Sequence, residues 1–160
     1  MNNNNTIIKN RIVEAALPNI PFDGWTKATL VRGAIEAGYS EAMVLSVFPA
    51  GEKDAIRHFS TMADEWMTAA LKQTNPVSLR VRDRVALAVR KRLEALEPYK
   101  EAEKLAVSYW VRPFRKFEGV KLVWKTADVI WQWAGDTAPD YNRYTKRGLL
   151  SGVLDRKSVV

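Results

Sequence analysis

The chain's one histidine, His58, follows Asp54 by four residues, a single helical turn, so the two can share a helix face and could pass a proton between them. Nothing else in the sequence completes such a centre. There is no second histidine, no cysteine and no Glu-x-x-His pattern to hold a metal. The eight glycines are dispersed and form neither a dinucleotide fingerprint nor a nucleoside-triphosphate loop. His58 therefore reads as an ordinary helix residue, and the chain as a protein that is not an enzyme and needs no cofactor.

Binding is the other chemistry these residues suggest. The net charge of +7 invites a nucleic-acid partner, but its distribution argues against one. Residues 1 to 75 carry seven Lys and Arg against eight Asp and Glu, a charge of −1, whereas residues 76 to 160 carry eighteen against ten, a charge of +8. The segment SEAMVLSVF stands where a recognition helix would, yet no cation occurs between Arg32 and Lys53. Without cations it can neither read base edges with long donors nor gain affinity by displacing counterions. No nucleic-acid partner is expected. The row Arg80, Arg82, Arg84, Arg90, Lys91 and Arg92 reads first as a solvated helix face.

Aromatic residues point elsewhere. Of six tryptophans, Trp110, Trp124, Trp131 and Trp133 fall within 24 positions, and Trp124 and Trp131 are seven apart on one helix face. The same helix is expected to turn Val120, Val123, Ala127 and Ile130 inward, more apolar surface than a small bundle readily uses. An apolar cavity lined by Trp110, Val123, Trp124, Ala127 and Trp131, with Met62 and Trp66 opposite, is the expectation that follows.

The elements that must hold these residues are all helical. Ile8, Ile12, Ala15 and Ala16 keep helical spacing until Pro18; Thr26 caps a second helix whose inner face is Leu30, Val31, Ala34 and Ile35, closed by Gly38. Ser40 caps a third, very short helix, which gives a helix-turn-helix outline over residues 7–50 behind a polar tail, 1–6, read as disordered. Residues 51–160 form the helical region of the same globular unit that is expected to hold the apolar ligand. It comprises a helix from Glu52 to about Lys72, another over 76–96, one from Glu101 to Val111, a basic and aromatic connector from Arg112 to Gly119, a helix from Val120 to Ala134, and a last one from about Pro139 to Leu154. No strand pattern or repeat appears, and 160 residues at 47% hydrophobic suit one helical domain.

The MNNNN start lacks the charged and apolar regions of a secretory signal, and no apolar run spans a bilayer. The chain is expected to stay in the compartment where it is made, in solution or lying on a membrane.

Three stretches, AALPNIPFDGW, RLEALEPYKEA and WKTADVIWQWAGDTAPDYNRYTKR, resemble the ninth-protein family of coenzyme Q biosynthesis accessory proteins in its alphaproteobacterial form, over about residues 7 to 154. The resemblance implies a tetracycline-repressor-like fold with a degenerate helix-turn-helix, a homodimer, and a cavity for an isoprenoid or phospholipid. It also implies a role in ubiquinone synthesis, presenting an intermediate to the di-iron demethoxyubiquinone hydroxylase. Asp128, Ile130, Asp140, Arg143 and Tyr144 match that family's hydroxylase-docking patch, with Arg143 where tryptophan is frequent. Members usually continue beyond TKR into an amphipathic helix that touches the bilayer. A transcriptional regulator of the tetracycline-repressor type with a small apolar ligand is the alternative.

Overall fold

The computed structural model describes residues 3–135; the helix expected near its C-terminal end, with Asp140, Arg143 and Tyr144, lies outside them. All regular structure among the described residues is helical. The elements are α1 (Asn3–Ala16), α2 (Ile20–Asp23), α3 (Lys27–Glu36), α4 (Glu41–Val47), α5 (Glu52–Leu71), α6 (Val81–Leu96), α7 (Lys100–Trp110) and α8 (Lys116–Ala134), with 3-10 turns at Pro76–Ser78 and Glu97–Tyr99. The fold is all-α and tetracycline-repressor-like, and the chain divides into two compact units, Met1–Met62 with Tyr99–Ala106 and Ala63–Pro98 with Val107–Val160.

In the first unit α1 buries Ile8, Ile12, Val13 and Ala16, and α3 buries Thr29, Leu30, Gly33 and Ala34. The two helices approach closely because Gly33 has no side chain: a Cβ there would stand 2.9 Å from Ala16 Cβ and from Ile12 O. That contact fixes the rotation of α3 and corrects its expected inner face. Leu30 and Ala34 are buried as expected, but Val31 is half-covered and Ile35 is exposed. Both caps are present: Thr26 Oγ1 accepts from Thr29 N at 3.2 Å and Ser40 Oγ from Met43 N at 3.3 Å, each supplying an acceptor to an N–H with no intrahelical partner.

Two features of this unit differ from the sequence reading. α1 begins at Asn3, so residues 3–6, assigned to a tail, form its first turn, propagated from the buried Ile8. Within NIPFDGW a one-turn helix forms, helped by Pro21, whose fixed φ suits a first turn; Gly24, at φ 76°, then reverses the chain. The reversal delivers Trp25 to the interior, where its ring lies 5.3 Å from that of Phe59 and its Nε1 donates to Ala102 O at 3.0 Å.

In the second unit the helix expected over 76–96 starts at Val81. Pro76 instead opens a 3-10 turn capped by Asn75, and Leu79 is extended. At the other end α8 starts at Lys116, four residues before Val120, so the connector after α7 is only 111–115. Gly119 is tolerated inside α8 because the helix packs on Trp110 at that point, where a Cβ would come within 2.9 Å of Trp110 Cβ. No helix among the described residues is long and apolar enough to cross a membrane.

Candidate functional site

The second unit gathers the aromatic residues. Met67 and Leu71 of α5, Ala88 and Val89 of α6, and Ala127 and Ile130 of α8 form a buried apolar cluster. Around it Val123, Val129, Trp131 and Trp133 pack with part of their surface still uncovered. α8 carries apolar residues on several sides, with Ala127, Ile130 and Ala134 buried and Val123, Val129, Trp131 and Trp133 half-covered.

A polar tie holds the three helices in register. Arg92 Nε of α6 donates to Asp64 Oδ1 of α5 at 3.0 Å, and Thr126 Oγ1 of α8 lies 2.8 Å from Oδ1 and 3.1 Å from Oδ2 of the same carboxylate. All three residues are buried. An ion pair withdrawn from water persists only when its geometry is good and further hydrogen bonds satisfy the oxygens, and Thr126 supplies these. The carboxylate is thus occupied as a structural link. Arg84 makes a second tie: its Nη1 donates to Ala134 O at 2.7 Å, at the C-terminal end of α8, and its Nε to Leu79 O at 2.8 Å. A cation there satisfies a carbonyl the helix leaves open and matches the negative end of its dipole. Two members of the arginine row are therefore internal fasteners, which corrects its reading as a wholly solvated face.

The signal for the tie was present in the sequence. Arg92 is four residues from both Ala88 and Leu96, so it interrupts the apolar stripe of α6, and Asp64 sits between the buried Ala63 and Met67 of α5. A charge of each sign at core register on two helices points to a buried pair.

Of the residues expected to line a cavity, Val123 and Trp131 lie against the cluster and Ala127 is within it. Trp66, Trp110 and Trp124 are half-buried. Met62 is buried in the first unit. Trp110 stands edge-on to Tyr109 at 5.0 Å between ring centroids. Val120, expected to face inward, is exposed, because the buried positions of α8, Thr126, Ala127, Ile130 and Ala134, all lie further along the helix.

Of the expected docking patch, Asp128 is half-buried and accepts from Gln132 Nε2 at 3.4 Å. Ile130 is fully buried in the cluster. Asp140, Arg143 and Tyr144 lie outside the described residues. His58 is half-buried with Nε2 2.6 Å from Asn10 Oδ1 and its ring 6.2 Å from that of Phe48, the environment of a helix-packing residue.

An open groove of about 650 Å³ that the sequence did not suggest lies along α3 in the first unit, lined by the apolar Ala28, Val31 and Ile35 and the charged Lys27, Arg32, Glu36 and Glu41. The exposed positions of α4 are Glu41, Ala42, Leu45 and Ser46, which offer no cation to a phosphate.

Residues 117–160 match the family model described as COQ9. The chain is 31% identical over 160 residues to the ubiquinone biosynthesis protein COQ9, mitochondrial, of Homo sapiens, an alignment covering 96% of this chain and 50% of that protein. The same protein of Rattus norvegicus is also 31% identical, with 96% and 51% covered, and that of Drosophila melanogaster is 30% identical over 151 residues, with 92% and 46% covered. The chain spans about half the length of these curated relatives.

Proposed function

Since the chain belongs to the COQ9 family, we propose that it serves ubiquinone biosynthesis as a lipid-binding accessory protein and not as an enzyme. Its ligand is an isoprenoid or a phospholipid held by apolar contact. Its task is to present a quinone intermediate to the di-iron demethoxyubiquinone hydroxylase at a membrane surface. In this reading the protein works as a homodimer in the bacterial cytoplasm, at the inner face of the cytoplasmic membrane.

The observation that carries the reading is the surplus of apolar surface on α8. The cluster is complete around Ala127 and Ile130, yet Val123, Val129, Trp131 and Trp133 remain partly uncovered around it. Covering roughly 100 Å² more of such surface with a prenyl or acyl tail contributes about 2.5 kcal/mol. The nearby carboxylate of Asp64 is engaged by Arg92 and Thr126, so the surface can hold a tail without a free acid or base beside it.

The hydroxylase contact falls to Asp128, Asp140, Arg143 and Tyr144, whereas Ile130, matched to the same patch by resemblance, is buried in the cluster and offers it no surface. Aromatic and arginine side chains are the usual anchors of protein interfaces. Replacement of Tyr144 by Ala is expected to leave folding and lipid content unchanged and to weaken binding to the hydroxylase of the same organism about tenfold or more, equivalent to about 1.4 kcal/mol. Calorimetric titration of wild type and variant measures it, and equal affinities would remove this patch from the mechanism. Sequence-selective retention of DNA by the wild type would instead favour a transcriptional regulator.

A further inference from the structure

We propose that the turn between α7 and α8 is a docking surface for an anionic lipid bilayer. Its sequence, VRPFRKFEGVK over residues 111–121, sets four cations against one acid, Glu118. Phe114 is fully exposed and Phe117 is 86% exposed, with Val111 and Val120 also in solvent. Apolar side chains this large are seldom left together in water unless something covers them.

The turn is built to hold them outward. The Arg115 guanidinium stacks 3.7 Å from the Tyr109 ring centroid, and Tyr109 in turn meets Trp110 edge-on. Gly119 lets α8 close onto Trp110, where any Cβ would collide. The backbone is therefore braced from α7, on one side of the turn, and from α8 on the other. Phe114 and Phe117 project from a fixed base, so they need little ordering when they insert.

Charge selects the occupant. Arg112, Lys116 and Lys121 are exposed and form no ion pair among the described residues. A bilayer with acidic headgroups presents phosphates to those cations and an apolar boundary to the rings at once. The exposed apolar residues of α3 and α4, Ile35 and Leu45, lie by contrast among mixed charge, where Glu36 and Glu41 offset Lys27 and Arg32. The contact is peripheral, since no described helix can span a membrane. This surface is separate from the lipid site proposed above and does not rest on it.

The test is co-sedimentation of the full chain with vesicles of phosphatidylcholine alone and of phosphatidylcholine mixed with phosphatidylglycerol. Binding to the anionic vesicles is expected, weakening as salt rises. It should fall about tenfold or more in the Phe114→Ser, Phe117→Ser pair and likewise in the triple Arg112→Glu, Lys116→Glu, Lys121→Glu variant. Circular dichroism should be unchanged, because all five side chains are exposed. Equal binding to both vesicle types, or unaltered binding by the phenylalanine pair, would overturn the proposal. So would a phenylalanine pair that splits an oligomer, since the turn would then be covered by a second copy. Lipid co-purifying with the variants reports on the α8 surface around Val123 and Trp131, which keeps failure of one idea distinct from failure of the other.

Discussion

The two units are held by different physics. In the first, helices meet through small residues and defined caps, with Gly33 against Ala16 and Ile12 and with Thr26 and Ser40 closing helix starts. In the second, a buried ion pair ties three helices while large rings beside it stay partly uncovered. The first arrangement is a closely packed interior, and the exposed positions of its α4 carry no cation. The second keeps its backbone in register by a polar link, which leaves its apolar side chains free to cover something other than one another. In the function proposed above, this surplus apolar surface is where a lipid tail is held.

The sharpest way to break this comparison is to remove the tie. Asp64→Ala leaves Arg92 buried without its carboxylate and is expected to cost about 3–5 kcal/mol in a urea unfolding experiment. The paired change Asp64→Leu with Arg92→Met removes both charges together and is expected to recover most of that stability. If Asp64→Ala were as stable as wild type, the second unit would owe its register to apolar packing, like the first.

A smaller effect is expected in the first unit. Gly33→Ala drives a methyl group against Ala16 and the Ile12 carbonyl, all backbone or rigid neighbours, and is expected to destabilise by about 1–3 kcal/mol. A shift in the denaturation midpoint measures it; no shift would mean that α1 and α3 separate easily and that close approach is not what organises the unit.

Much of this was legible in the residues. Thr26 and Ser40 announce their helices because a hydroxyl before an apolar run has one obvious use. The packing of Leu30 and Ala34 followed from spacing, but the choice between the neighbouring stripes did not: Val31 and Ile35 are as apolar as their buried neighbours, and only Gly33, by admitting α1, turns them outward. The start of α8 was hidden because Arg115, Lys116, Phe117 and Gly119 together resemble a loop, and it is the stacking on Tyr109 and Trp110 that makes them a helix start. The Asp64, Arg92 and Thr126 link lay open to a reader who asked why charges fall at core positions. Which side chains of α8 are half-covered depends on three helices at once and cannot be read from one.

The claim that this chain carries a lipid is tested most directly by extracting protein purified under native conditions and identifying what it releases by mass spectrometry. An isoprenoid or phospholipid is expected in fixed proportion to the chain, with a marked loss of it when Val123 and Trp131 are replaced together by serine. A folded wild-type protein that releases no lipid, or releases the same amount as that variant, would contradict it.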